Sequence, residues 1–336
     1  MPGSSADRGG LPPRKLGGLV VGAQGLGCLS LSSFYGATDR AEAIATVHEA
    51  IERGVTLLDT ADVQGLGHGE RLVGAAVAGR RDRVLIATKV GLERSASGEF
   101  LGVRGDRAYI RSRCEGSLTR LGVDHLDIYT KHWAAPGERI EEAMAAMAEL
   151  VEEGKVRHVC LSEVSAGTLR RAHAVHPVAA VQAEWSLWTR GVEDEVLGVC
   201  RELGIGIIAS CPLGRGFLAG QVTPATIFRD EDFRRTLPRF SGGNLARNLR
   251  SLEPLRALAQ RYELTLAQLC LAWLHHQGED VVAIPGTGRR DHLAENLTAT
   301  RVRLSAGQLV EIEAALPPGA VSGERYGAFL MGLVGN

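Results

Sequence analysis

Residues 126–162 read LDIYTKHWAAPGERIEEAMAAMAELVEEGKVRHVCLS. The runs Leu126–His132 and Val156–Ser162 are short, rich in β-branched and aliphatic residues, and apolar on both faces. Each therefore reads as a buried strand of a parallel sheet. Between them Ile140, Met144, Met147 and Val151 fall on one helical face, and Gly154 supplies a stop. The unit strand–helix–strand repeats in both directions. Further strand candidates are Gly25–Leu29, Val55–Asp59, Val84–Lys89, Ala180–Ala183, Ile205–Ser210 and Val281–Ile284. A helix carrying Ile44, Val47, His48 and Ile51 is capped by Asp39 and closed by Gly54, another opens at Ser165, and a third spans Glu193–Leu203. Eight strand candidates, nearly all followed by a helix, predict a closed (β/α)8 (TIM) barrel, an α/β fold. The competing doubly wound open sheet carries GxGxxG after its first strand, and the early glycines Gly22, Gly25 and Gly27 have the wrong spacing for it.

No Ser/Gly/Pro linker splits the pattern, so residues 15–316 read as one barrel domain. Residues 1–14 read as a flexible leading segment, 221–250 as an insertion after the seventh strand that shapes a substrate loop, and 317–336 as a Gly-rich tail. Across the 336 residues, 38 Lys plus Arg oppose 39 Asp plus Glu, a net charge of −1 that excludes a phosphate-tracking nucleic-acid surface. No apolar run reaches the ~18 residues of a membrane span, and the leading segment has no apolar core of a signal peptide. The six Cys lie far apart without zinc spacing, which predicts reduced thiols in a cytoplasmic protein and no metal site. Nothing in the pattern specifies an oligomeric state.

In a barrel of this kind chemistry sits where the strands end at their C-terminal side. There the sequence places Asp59, Lys89, Lys131 with His132, Ser162 with Glu163, Gln182 with Glu184, and Ser210 with Cys211. Each follows directly on a buried apolar run, so a solvated surface explains the set poorly. Lys131 alternates with His132 and is expected to point away from the barrel interior. His275 and His276 share a helix and have no metal-like companions.

The stretches GVTLLDTADV (54–63), VLIATKVG (84–91), LGVDHLDIY (121–129), EEGKVRHVCLSE (152–163), AAVQAEWSLWTR (179–190), CPLGRGFLAG (211–220) and IPGTGRRDHLAEN (284–296) together resemble the aldo-keto reductases, over about Lys15 to Tyr326. The closest likeness is to the bacterial and plant branch that includes pyridoxal-reductase-like enzymes. The resemblance implies a (β/α)8 barrel, NADPH held without a Rossmann motif, and hydride transfer to a small-molecule aldehyde or ketone. Of the family's four catalytic residues, the Asp matches Asp59, the Lys matches Lys89 and the His matches His132. The Tyr belongs five positions after Asp59, where this chain has Gln64. A phenol beside an ammonium can deliver a proton to the developing alkoxide; an amide donates a hydrogen bond but releases no proton near neutral pH. His68 and Tyr35 are the nearest substitutes, and both read more naturally in other roles: His68 as an exposed loop residue, Tyr35 as a residue found beside the usual Tyr in related sequences.

By the same resemblance Ser162 and Gln182 hold the nicotinamide carboxamide, and Trp185 stands where a Tyr is expected to stack on the ring. Leu213, Gly214, Arg215 and Gly216 surround the pyrophosphate. Gly286 and Thr287 open the adenosine-phosphate segment, Arg289 and Arg290 grip a 2′-phosphate and favour NADPH over NADH, and Glu295 and Asn296 meet the adenine. Taken alone the two arginines read as a solvated helix start. Gly69 replaces the branch's Asn, Gly288 a frequent Lys, and Ser210-Cys211 a common Tyr-Ser. Three readings stay open. The first is an NADPH-dependent reductase of a carbonyl or conjugated C=C with an altered proton donor. The second is a dehydratase, cyclase or isomerase using Lys89 and His132, and the third a catalytically impaired NADP-binding protein.

Overall fold

The computed structural model describes residues 10–32, 39–230 and 232–336. Eight strands form one parallel sheet in sequence order: β1 (Leu26–Gly27), β2 (Leu57–Asp59), β3 (Leu85–Val90), β4 (Leu126–His132), β5 (Val156–Ser162), β6 (Val178–Glu184), β7 (Gly206–Ser210) and β8 (Val281–Ala283). Parallel bridges Gln24↔Ala283 and Gly27↔Gly286 join the last strand to the first, so the sheet closes into the expected (β/α)8 barrel. Close approach is essential at that seam, because a Cβ on Gly27 would lie 2.7 Å from the Ile284 carbonyl.

Helices α1 (Arg40–Glu52), α2 (His68–Val77), α3 (Arg107–Leu121), α4 (Ile140–Glu152), α5 (Ala166–Val175) and α6 (Val196–Leu203) return the chain between strands. Their ends follow local chemistry. Asp39 accepts from the Glu42 N–H at 2.8 Å, Ser165 accepts from Thr168, and Gly204 closes α6 in the left-handed region. The α4 face predicted from its spacing, Ile140, Met144 and Met147, is fully buried against the sheet.

Inside the barrel, Leu57, Ala87, Ile128, Cys160, Ala180, Ile208 and Val282 form a separate apolar cluster with Leu16 and Val21. Leu16 belongs to an antiparallel hairpin, Pro13–Leu16 with Leu19–Gly22, that plugs the N-terminal mouth. The pattern search missed this hairpin, although Gly17-Gly18 between two apolar residues is a turn signal. It takes in Pro13 and Arg14, the last residues of the stretch read as a flexible leader. A second hairpin, Leu92–Arg94 with Phe100–Val103, follows β3 at the opposite mouth. Among the described residues no helix is long and apolar enough to cross a membrane, and all six cysteines are unpaired.

Candidate active site

The period of two along each strand carries the interior from apolar to polar. Two residues beyond Leu57, Ala87, Cys160 and Ala180 stand Asp59, Lys89, Ser162 and Gln182. These four, with Gln64 and His132, line a cavity of about 840 Å³ at the C-terminal mouth, a size suited to a small-molecule or cofactor site.

Lys89 Nζ donates to Asp59 Oδ1 (2.6 Å), Asp59 Oδ2 (2.7 Å) and the Thr60 carbonyl (2.8 Å). Both side chains are almost wholly buried. A buried pair of this kind persists only where further hydrogen bonds satisfy its remaining atoms, and Gln182 Nε2 adds one to Asp59 Oδ2 at 3.2 Å. Gln64 is buried. Its Oε1 accepts from Thr60 Oγ1 at 3.1 Å, which leaves the amide Nε2 as the group available to the cavity. Gly69 allows this packing, since a Cβ there would press on Gln64 Oε1 at 3.1 Å.

His132 is partly buried, and its Nδ1, which is buried, has no hydrogen-bond partner. Burial, and then the positive charges of Lys89, Lys131 and Arg94, push its pKa down to about 3. On that account the ring is neutral at physiological pH and can hydrogen-bond to a ligand. Lys131 faces outward as expected. It is wholly buried and donates to the Trp133 carbonyl (2.7 Å) and to Glu138.

Backbone strain gathers at this rim. Trp133, Glu163, Cys211 and Arg215 hold φ of 61°, 56°, 47° and 57°, in the left-handed region that side chains other than glycine rarely occupy. The first three of these residues directly follow β4, β5 and β7.

The residues expected to bind cofactor divide into two groups. Ser162, Gln182, Leu213, Arg215, Gly216, Gly286, Thr287, Arg289, Glu295 and Asn296 line the cavity; Trp185, Gly214 and Arg290 do not. Trp185 is fully buried, with its indole N–H donating to Glu193 at 2.8 Å, so it offers no face for stacking there. Arg289 and Arg290 are held by Asp291 and Glu42 in exposed ion pairs. Surface pairs of this sort contribute little and exchange readily for a phosphate. Arg215 bonds the Tyr326 hydroxyl at 2.9 Å and lies 3.5 Å from Glu184. His68 opens α2 and is not among the residues lining the cavity. Tyr35 lies outside the described residues.

A dinucleotide with a nicotinamide end fits this arrangement. Gln182 Oε1 is buried without a partner, and Ser162 stands one strand away on the same inner face, paired with it in register. Together they present the acceptor and the hydroxyl that a carboxamide requires.

Several lining residues escaped the sequence reading. Leu92, Arg94 and Phe100 come from the second hairpin, and Tyr326 and Leu330 from the tail. Tyr326 packs edge-on against Trp133 with ring centroids 5.6 Å apart. The tail is tied down where Arg325 makes two hydrogen bonds to Glu163, at 3.1 and 2.8 Å. Burial opposes ionisation of Glu184, but Arg215, Arg325 and Arg239 hold its carboxyl below the ordinary range. Among the described residues no group of three or more His, Cys, Asp or Glu side chains is placed to hold a metal ion.

A sequence model of the Aldo/keto reductase family matches residues 23–317. The structure is similar to that of a glycerol dehydrogenase from Gluconobacter oxydans, with 25% identity, 91% of this chain and 96% of that chain covered, and a TM-score of 0.81. It also resembles the holo form of an aldo-keto reductase from Bacillus halodurans, at 26% identity, 91% and 96% coverage and a TM-score of 0.75. An aldo/keto reductase from Klebsiella pneumoniae in complex with NADP and acetate is similar as well, at 28% identity, 94% and 99% coverage and a TM-score of 0.72.

Proposed function

The chain belongs to the aldo/keto reductase family, and on that premise we propose that it is an NADPH-dependent oxidoreductase that reduces a small-molecule carbonyl through an altered proton-donor site. The observation that carries the reading is the convergence of Asp59, Lys89, His132, Ser162 and Gln182 on one cavity, with an orphan carboxamide oxygen on Gln182. The Klebsiella and Bacillus neighbours, one in complex with NADP and the other in holo form, support the cofactor assignment.

Bound NADPH supplies hydride. Ser162 and Gln182 hold the carboxamide of the nicotinamide, and the loop Leu213–Gly216 with Gly286, Thr287, Arg289, Glu295 and Asn296 carries the rest. The substrate oxygen gains negative charge as its carbon is reduced. Gln64 Nε2–H and the neutral His132 imidazole donate hydrogen bonds to that oxygen, and the Lys89 ammonium adds electrostatic stabilisation. Gln64 releases no proton. The proton comes from water entering the cavity, and Lys89, whose three N–H groups are taken by Asp59 and Thr60, acts on the developing charge through its field. Absence of an acid at position 64 also favours a conjugated C=C as acceptor, because the proton then goes to carbon and the oxygen needs hydrogen bonds alone.

Purified protein with NADPH and a panel of aldehydes, quinones and enones tests the assignment. Cofactor oxidation above background is expected with at least one class. Cofactor binding without oxidation across the panel, and no gain on Gln64→Tyr, would replace it with a non-redox or sensing role.

A further inference from the structure

The cavity has two chemically different ends. The end near Gly286, Arg289 and Glu295 is polar. The other is walled by Val63, Leu92, Phe100, Trp133, Tyr326 and Leu330, all of them in one apolar cluster. Two cationic side chains reach these walls: Arg94, and Arg215, which bonds the Tyr326 hydroxyl.

The cavity is lined by Lys89, Arg94, Arg215, Arg234 and Arg289. Lys89 is paired with Asp59, Arg215 with Glu184, Arg234 with Asp232 and Arg289 with Asp291. Arg94 has no carboxylate partner among the described residues. Its Nη1 donates to the Gly98 carbonyl at 2.7 Å, inside its own hairpin turn, which fixes the guanidinium plane. Its Nε is buried with no hydrogen-bond acceptor, and its Nη2 has no bond to the described residues. The Nε–Nη2 edge is the side-on fork that meets the two oxygens of a carboxylate in parallel. A buried Nε without an acceptor is costly. Arg94 is also near enough to His132 for its charge to bear on the imidazole.

We propose that Arg94 is a specificity-determining residue that binds the carboxylate of a carbonyl substrate whose body is apolar or aromatic. The inference rests on the oxidoreductase reading for the reactive end of that substrate, and it names the group at the other end. The apolar walls hold the body, His132 and Gln64 face the carbonyl oxygen, and the hairpin fork fixes the distal anion. A monoanionic carboxylate suits the site better than a phosphate dianion, because a single fork is offered and, among the described residues, every other Lys or Arg lining the cavity has a carboxylate partner.

The test separates binding from turnover. Affinities of 4-formylbenzoate and its neutral counterpart 4-formylbenzamide are measured by calorimetry on the full chain with NADP+, which supports no reduction. A charge-assisted bidentate contact predicts about 10- to 100-fold preference for the carboxylate. Arg94→Gln should abolish that preference while leaving 4-formylbenzamide binding unchanged, and Arg94→Lys should retain part of it. Equal affinity of the two probes in the wild-type protein overturns the proposal, and so does a preference that survives Arg94→Gln. Should Arg94→Gln fail to fold, the wild-type ratio and Arg94→Lys still decide. A preserved carboxylate preference without NADPH oxidation of 4-formylbenzoate would instead count against the oxidoreductase reading and leave the anion site standing.

Discussion

The two mouths of the barrel are built from the same strands, two residues apart, and differ in nearly every physical respect. At the N-terminal mouth Leu57, Ala87, Ile128, Cys160 and Ala180 meet the wholly buried Leu16 plug in a dry apolar layer. At the C-terminal mouth Asp59, Lys89, Thr130, Ser162 and Gln182 take their place, with buried atoms left unpaired on His132 and Gln182. Close packing at one end removes every alternative conformation. Strain and orphan polar groups at the other end make sense only when something else completes the site. Stability and chemistry are thus segregated along a single axis, and mutations at the two ends should behave differently.

The largest effect is expected at Gln64. Restoring a phenol beside Lys89 places a proton donor where an amide now stands, so Gln64→Tyr should raise carbonyl reduction by about 10²- to 10⁴-fold. Steady-state NADPH oxidation measures it. The gain should be much smaller for a conjugated C=C acceptor. An unchanged rate with carbonyls would mean that the C-terminal mouth is not organised around an oxyanion at position 64.

Lys89→Met probes the same mouth by removing one half of a buried pair. It leaves the Asp59 carboxylate with only Gln182 for company, a loss expected to cost about 3–5 kcal/mol in denaturant unfolding. It should also abolish whatever turnover the wild type has. Lys89→Met with Asp59→Asn should recover much of the stability and none of the activity, which separates the structural from the chemical use of the pair.

How much of this was legible beforehand follows the same axis. The strands and helices were readable because buried parallel strands are apolar on both faces and because Asp39, Ser165 and Gly204 announce helix ends. Leu126–His132 and Val156–Ser162 match the structure residue for residue. The polar strand ends were readable too, since each closes an apolar run. The substrate wall was not. Leu92–Arg94 and Phe100–Val103 are short, with burial that follows no clean alternation, and Tyr326 stands in a Gly-rich tail with no strand or helix period around it. Only tertiary contacts with Trp133 and Arg215 bring it to the cavity. Trp185 was read from the resemblance alone, as standing where a stacking Tyr is expected; nothing in its sequence surroundings announces the bond that its indole N–H makes to Glu193.

Asp62 marks the border between the two regimes. Its carboxylate oxygens are buried without hydrogen-bond partners, and Arg113 approaches only to 3.8 Å. Burial, reinforced by Glu70 and opposed by Arg113 and Arg120, raises its pKa to about 7. A carboxyl with a raised folded-state pKa favours folding while protonated. Its contribution is complete below the unfolded value near 4 and is lost as pH climbs through about 7. The Asp62 contribution should therefore fall between about pH 4 and 7, by at most about 4 kcal/mol, and level off above. Asp62→Asn should flatten that limb. His132 works in the opposite direction. Its depressed pKa favours folding above about pH 6.5, and that contribution disappears as pH falls toward 3. Thermal unfolding across pH 3–8 in wild type and Asp62→Asn reads both limbs, and an unchanged alkaline limb in the variant would remove Asp62 as its source.

The smallest expected effect belongs to the closed mouth, and it is the sharpest check on the contrast. Leu16 is 0% exposed, and the backbone of the opposite strand comes so close that a Cβ on Gly206 would lie 2.5 Å from the Leu16 Cα. Such packing cannot collapse around a missing side chain, so Leu16→Ala should leave a cavity and cost about 3 kcal/mol. The loss should be the same at every pH from 5 to 8, since no titrating group takes part. NADP+ affinity should be unchanged, because the plug sits at the far end of the strands from Ser162 and Gln182. Denaturant unfolding beside cofactor titration measures the two quantities. If Leu16→Ala weakened cofactor binding as strongly as it weakened the fold, the mouths would be mechanically coupled through the strands, and the division of labour between them would not hold.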